Sequence, residues 1–366
     1  MLRYTRVLRR FDWGIVIPML LLVAFGLTAI WSIALSRDSD FQWFHRQALF
    51  ALVGLVLFLL ASLGNYMIFR RATRLLYVAG IALLAAVLAV GVTVRGTTGW
   101  FSIGVFSIQP VEFVKILLVL LLAKVLSEEL ALRRSLWPIF RSGIDAGVLI
   151  GLVLLQPDLG SALILIALWG AMLLLFGIRP RHAVVIGIAL IVIATLGWTV
   201  FLKEYQRDRI RAFLNPTVDP LGRGYNVVQS MVAVGSGELM GRGLGSGSQG
   251  QLRFLPEGRT DFIFAVIAEE LGFVGAGIIL TLFALLIFRM LAVARRARDH
   301  FTMFLLLGTA LLFTIEFTAN VGMNLGMLPV VGVTLPLVSY GGSSLIAHLI
   351  LLGIIHSVSM RVRSVG

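Results

Sequence analysis

Along this chain the apolar residues fall into runs of roughly 20, the length a helix needs to cross a hydrocarbon layer of about 30 Å. Ten such runs are drawn at about residues 13–35, 45–63, 75–94, 110–127, 138–155, 159–177, 183–202, 261–288, 301–322 and 341–358. The longest interval between them is 203–260. The pattern predicts an all-α, polytopic membrane protein of about ten transmembrane helices, one integral membrane domain over 1–366, with a single long loop at about 203–260. No small-residue cleavage signal follows the first run, which is expected to stay as a helix.

Composition strengthens that picture. Hydrophobic residues make up 59% of the chain, charged residues only 13%, and the mean hydropathy is +0.98, far from the balance of a water-soluble domain. A formal charge of +13 would suggest nucleic acid in a soluble protein. Here the basic residues sit between apolar runs, where they orient a membrane protein, so no nucleic-acid partner is expected. With the N-terminus in the cytoplasm, one side of the membrane receives clusters such as Arg70, Arg71 and Arg74, Arg133 and Arg134, and Arg295, Arg296 and Arg298. The other side's short loops and helix ends hold only Arg37, Arg46, Arg95 and Lys115. Both termini are therefore expected to be cytoplasmic and the segment 203–260 extracytoplasmic. That segment carries Lys203, Arg207, Arg209, Arg211, Arg223, Arg242, Arg253 and Arg259, which reads either as charge that nothing opposed during export or as a site for an anion. There is no cysteine, which excludes disulfides, thiolate catalysis and Cys-based metal sites.

Ionisable residues inside spans are costly and become functional candidates. In the fourth run, Gln109-Pro110-Val111-Glu112-Phe113-Val114-Lys115 starts a helix with Pro in its first turn, and Glu112 and Lys115, three apart, share a face. They form either a structural ion pair or part of a polar site. Gln156-Pro157-Asp158-Leu159-Gly160-Ser161 places Asp158 at another helix start, where the dipole favours a carboxylate. Arg46 is read as an interface residue or a partner for one of these acids. In Leu255-Pro256-Glu257-Gly258-Arg259-Thr260-Asp261-Phe262, Thr260 is a plausible N-cap, putting Asp261 in the first turn at the outer interface, where dipole and burial oppose each other and leave a carboxylate able to serve as a base. Glu269 and Glu270, two turns deeper, are expected to be buried hydrogen-bonding groups.

Glu316, Asn320 and Asn324 recur every four residues and form a polar stripe suited to helix-to-helix hydrogen bonds. The stretch 328–344, punctuated by Pro and Gly, is too irregular for a simple helix and must be buried in protein or line a cavity. Seven glycines lie in Gly235–Gly250 without the Gly-Lys-Ser/Thr ending of a nucleotide loop. The run is read as a phosphate-facing turn or a flexible linker. No HExxH-type cluster argues for a tightly held metal, and His348 and His356 are far in sequence from the acids.

Six separated phrases together resemble one family: Gln109-Pro110-x-Glu112-x-x-Lys115; Gln156-Pro157-Asp158-Leu159-Gly160; Arg211-x-x-Leu214-Asn215-Pro216; Gly224-Tyr225-Asn226-x-x-Gln229-Ser230; Leu255-Pro256-Glu257-x-x-Thr260-Asp261-Phe262; and Leu337-x-Ser339-Tyr340-Gly341-Gly342-Ser343-Ser344. In this order they are similar to the SEDS proteins of bacterial cell elongation and division, and the likeness spans nearly the whole chain. The short termini look more like the elongation branch, the RodA type, than the division branch, the FtsW type. Two positions depart from the family's pattern: Gly99 precedes Trp100 where an arginine is usual, and Val111 replaces a serine.

The resemblance implies a peptidoglycan glycosyltransferase of the bacterial cytoplasmic (inner) membrane that polymerises lipid II at its outer face, partnered by a class B penicillin-binding protein. It gives Asp261 the catalytic role and places Glu112, Lys115 and Asp158 in the surrounding polar cavity, with Gln229 among the substrate-binding residues. Asp261 is then expected to act as general base on a sugar 4-hydroxyl, with inversion at the anomeric carbon and release of undecaprenyl pyrophosphate. Lys115, Arg46, Arg209 and Arg211 would steady the leaving group. No tightly bound cofactor is expected, and a divalent cation, Mg or Mn, accompanying the pyrophosphate is left open. The alternatives are a lipid II flippase, which needs polar groups through the full membrane depth, and a scaffold without chemistry of its own.

Overall fold

The computed structural model describes residues 11–35, 41–94, 96–104, 106–200, 207, 211, 213, 224–247, 254–255 and 257–363. Helices α1 (Trp13–Leu35), α2 (Phe41–Leu63) and α3 (Met67–Val90) are followed by a three-stranded antiparallel sheet, β1 (Val92–Val94), β2 (Thr97–Ile103) and β3 (Phe106–Ile108). Then come α4 (Pro110–Glu128), α5 (Trp137–Leu155), α6 (Leu159–Phe176), α7 (Pro180–Val200), α8 (Tyr225–Ser236), α9 (Ile263–Ala294), α10 (His300–Asn324) and α11 (Gly342–Arg363). Each of the ten apolar runs overlaps one of these helices, although the run at 75–94 ends in β1 and the run at 183–202 ends outside the described residues. Among the described residues eight helices, α1, α2, α3, α5, α6, α9, α10 and α11, are long and apolar enough to cross a membrane, against the ten spans expected. The expected all-α chain thus carries one small sheet, whose first strand takes up the end of the third expected span and whose other two strands lie between the third and fourth.

The membrane part is built around α4, whose residues are buried on every side from Val111 to Leu126. Its apolar residues point in every direction, as befits an interior helix, and its charged Glu112 and Lys115 are paired with each other. It packs against α3, α5, α6, α10 and α11, while α2 runs along α11 and α1 lies between α2 and α9. The lipid-facing surface is supplied by residues such as Leu52, Leu60, Leu75 and Phe288, all more than half exposed.

Local signals fix the helix ends. Asp158 caps α6 by accepting from the Ser161 amide at 3.0 Å, and Asp299 caps α10 by accepting from the Thr302 amide at 3.0 Å, each satisfying one otherwise unpaired donor. At Gly160 in the first turn of α6, a Cβ would lie 2.1 Å from the Val331 carbonyl oxygen. Only glycine lets the irregular 328–341 segment approach so closely.

The segment expected as one long outward loop is not wholly a loop. It contains α8, which packs on α9 and α10, and its glycine run continues into a break in α9. At Gly272 the backbone has φ 65° and ψ −162°, a conformation essentially confined to glycine. The Phe273 and Val274 amides, released by the break, donate to the carbonyls of Glu238 and Leu239 at 2.8 and 3.2 Å. In return the Arg242 and Gly243 amides donate to the carbonyls of Glu269 and Glu270 at 3.0 and 2.9 Å. The described part of the glycine run is therefore neither a free linker nor a phosphate loop: it replaces the lost helical bonds of α9. Glu270 is a buried hydrogen-bonding group as expected, accepting from the Ser32 hydroxyl at 2.7 Å.

At the opposite end of the bundle, fully buried Asp12 pairs with Arg289 at 2.9 Å. Its amide donates to the His356 ring at 3.0 Å, tying together the ends of α1, α9 and α11.

Candidate active site

Five helices that run in the same direction, α2, α4, α6, α9 and α11, bring their N-terminal ends to one end of the bundle, where the small sheet packs on α4 and α11. Between them lies a cavity of about 390 Å³, lined by Trp43 and Arg46 of α2, Trp100 of β2, Gln109, Glu112 and Lys115, Asp158 and Ser161, Asp261, and the turn 340–344. The same end of each helix carries the positive side of its dipole, so the cavity wall favours an anion.

Asp261 does not sit in the first turn of a helix capped by Thr260. The turn runs over 257–262 and α9 begins at Ile263, after Phe262. The Thr260 hydroxyl instead donates to the Glu257 carboxylate at 2.9 Å. The cap comes from another helix: the Asn324 side-chain oxygen accepts from the Ala265 amide at 3.1 Å, a donor that α9 itself cannot satisfy.

Around Asp261 the backbone is held from two sides. The side-chain amides of Asn320 and Asn324 donate to the Asp261 carbonyl at 3.0 and 2.9 Å, so the polar stripe of α10 anchors a turn as well as a neighbouring helix. On the other side, the Ser339 hydroxyl donates to the Thr260 carbonyl at 2.6 Å, and the Tyr340 amide donates to the Arg259 carbonyl at 2.8 Å. Gln47 of α2 clasps the same strap, donating to the Ser339 carbonyl at 3.1 Å and accepting from the Gly341 amide at 3.2 Å. The backbone of this turn is thus set by a rigid scaffold of helices and strap.

Glu112 and Lys115 pair across one helical turn at 2.9 Å. Lys115 also reaches Glu316 of α10 at 2.6 Å, and the far oxygen of Glu316 meets the His348 ring at 2.6 Å. All four groups are buried. Glu316 was visible in the sequence only as one member of a stripe, and His348 only as a histidine remote from the acids. Their meeting depends on how α10 and α11 cross α4, which periodicity does not reveal.

At the cavity mouth the Arg259 guanidinium lies 3.9 Å above the Trp43 ring, with Arg46 5.5 Å from it. Tyr340 meets the same indole edge-on at 5.1 Å. Burial pushes the Tyr340 hydroxyl above its ordinary pKa, while neighbouring Arg46 and Arg259 pull the other way. Arg46 thus contributes to a cationic, aromatic cluster together with Arg259, which had no assigned role in the sequence.

Asp261, Glu112, Lys115, Arg46 and Asp158 are all brought to this one cavity. Gln229 lies half-buried on α8 and Arg211 is exposed; neither is among the described lining residues. Arg209 lies outside the described residues. Among the described residues no group of three or more His, Asp or Glu side chains is arranged to hold a metal, and Glu112 is taken up by Lys115.

Fold and site together define a polytopic membrane protein with a polar, dipole-lined cavity at one end of its bundle. Residues 12–364 match the model of the FtsW, RodA and SpoVE cell cycle proteins, and the chain belongs to that family. The peptidoglycan glycosyltransferase MrdB of Escherichia coli strain K12 is 39% identical over 355 residues, covering 95% of this chain and 93% of that protein. Stage V sporulation protein E of Bacillus subtilis strain 168 is 37% identical over 359 residues, covering 95% and 96%. A solved chain from a peptidoglycan synthase complex that coordinates polymerisation and crosslinking superposes with a TM-score of 0.81 at 36% identity, covering 96% of this chain and 98% of that one.

Proposed function

We propose that this multi-pass protein of the bacterial cytoplasmic membrane is a peptidoglycan glycosyltransferase that polymerises lipid II during cell elongation, with Asp261 as its general base. The observation that carries the reading is the clamped turn that holds Asp261 at a cavity also lined by Arg46 and Lys115 and by the first turns of α4, α6 and α11.

In this reading the Asp261 carboxylate takes the proton from the 4-hydroxyl of one lipid-linked disaccharide. The hydroxyl oxygen forms a bond to the anomeric carbon of the growing chain from the face opposite the leaving group. The bond from that carbon to the pyrophosphate oxygen breaks, and undecaprenyl pyrophosphate departs as the anion, giving inversion. A positioned base typically supplies about 10²–10⁴-fold. Orientation and charge stabilisation supply the rest. Arg46 and Arg259 sit at the mouth, where a membrane-bound pyrophosphate would lie, and the helix N-termini add donors without a mobile charge. No step is routed through a metal ion.

The likeness to a subunit of a synthase complex supports a class B penicillin-binding protein as the partner that crosslinks the product. The test is polymerisation of fluorescent lipid II by purified protein with that partner, beside a lipid II translocation assay in vesicles. Asp261→Asn is expected to fold, hold its partner and lose polymerisation by at least about 10²-fold. Polymerisation at the wild-type rate would overturn the mechanism, and translocation without polymerisation would identify a flippase.

A further inference from the structure

His348 lies one layer behind the cavity, 3% exposed on α11, with its ring edge-on to Phe313. Its two ring nitrogens meet different partners: Nδ1 lies 2.7 Å from the Ser344 carbonyl oxygen, with the Ser344 hydroxyl farther off at 3.3 Å, and Nε2 lies 2.6 Å from Glu316 Oε2. A carbonyl oxygen and a carboxylate oxygen can only accept. In either neutral tautomer, one ring lone pair would point at an oxygen lone pair at hydrogen-bond distance. Protonating Glu316 would remove that clash but forfeit its charge pairing with Lys115, whose ammonium is 2.6 Å from the other carboxylate oxygen.

We infer that His348 is a positioning residue, carrying a proton on both ring nitrogens and offsetting the charge of Glu316 so that Lys115 remains able to serve the anionic substrate. The titratable groups facing the ring are Glu316 from α10 and Glu112 and Lys115 from α4. From Gln47 to Leu63, α2, which packs along α11, has no ionisable side chain. With His348 as an imidazolium the four groups sum to zero. Without it, two carboxylates would share one ammonium, leaving a net negative charge in the wall of a cavity that must admit a pyrophosphate. Lys115 would also be held more firmly by Glu316. The expected defect is therefore in binding rather than in the chemical step.

The inference rests on the glycosyltransferase reading for its kinetic consequence, but not for the protonation state. In full-length protein in nanodiscs, labelled with ¹⁵N-histidine, both ring nitrogens of His348 are expected to carry protons at pH 7, the signals being assigned by their loss in E316Q/H348N. A ring with one unprotonated nitrogen would overturn the inference. In lipid II polymerisation, His348→Asn is expected to raise KM about tenfold, the worth of one charge-assisted contact, with kcat little changed. E316Q/H348N, which restores neutrality while keeping the Lys115–Glu112 pair, is expected to return KM close to wild type. A purely space-filling histidine would show no such rescue. A wild-type KM in H348N, or a folded double variant with KM still raised, would overturn the inference. If H348N does not fold, the double variant and the spectrum decide. Activity of Asp261→Asn at the wild-type rate would instead strike at the glycosyltransferase reading and leave the spectrum to judge His348.

Discussion

Asn320 and Asn324 show how two neutral side chains can fix the turn that carries an acid they do not resemble chemically. Both donate to the Asp261 carbonyl, but only Asn324 also caps α9 through the Ala265 amide. A buried polar group left without its partner costs about 1–3 kcal/mol. Asn320→Ala and Asn324→Ala are therefore both expected to lower polymerisation by loosening the Asp261 turn. Asn324→Ala should also melt at a clearly lower temperature than Asn320→Ala, because it leaves the buried Ala265 amide donor without its cap, whereas Asn320→Ala withdraws a donor only from the Asp261 carbonyl, which Asn324 still meets, and from the Val333 carbonyl. Thermal unfolding in detergent, read beside the lipid II assay, separates the two effects. Equal melting temperatures for the two variants would show that the cap from α10 contributes nothing.

Among the elements, the break in α9 is the clearest case of a local rule yielding to a tertiary one. A Cβ at Gly272 would lie 2.3 Å from the Gly241 nitrogen and 2.6 Å from the Leu239 oxygen, on a backbone other residues avoid. Gly272→Ala is expected to destabilise the protein by roughly 2–4 kcal/mol and to expose the 238–246 turn to limited proteolysis. Gly235→Ala, where a Cβ would meet nothing within 4 Å, should leave both unchanged. Gly160→Val is expected to push Val331 away from α6 and disturb the segment facing Asp261, so it should lose polymerisation while keeping partner binding. The eight helices long and apolar enough to span were legible because a membrane imposes one length and one composition on each. The capping role of Asp158 and the Glu112–Lys115 pair were legible because each is local in sequence. What escaped was non-local: α8 and the glycine run bonded to α9, the strap over 335–341, and the meeting of Lys115 with Glu316 and His348. The small sheet escaped for a different reason. Its strands, three to seven residues long, interrupt the apolar runs too briefly to announce a period of two.

For the whole molecule, helix direction and charge make one coherent statement. The helices whose N-terminal ends line the cavity must all start on the same side, and the cavity is then at the face that the charge asymmetry assigns to the outside. The basic clusters at Arg70–Arg74, Arg133–Arg134 and Arg295–Arg298 lie at the other face, as the positive-inside rule requires of cytoplasmic loops. For the proposed function this sidedness is decisive, because a base that met its substrate on the cytoplasmic face could not build a wall outside the cell. The absence of cysteine makes a direct test possible without first removing any native thiol. Met240, 80% exposed beside the break in α9, and Leu136, 63% exposed beside Arg133 and Arg134, lie at opposite ends of the bundle. In intact spheroplasts, Met240→Cys is expected to react with a membrane-impermeant maleimide, while Leu136→Cys should react only after the membrane is permeabilised. Labelling of Leu136→Cys from outside, with Met240→Cys protected, would invert the molecule in the membrane and move the Asp261 cavity to the cytoplasmic face.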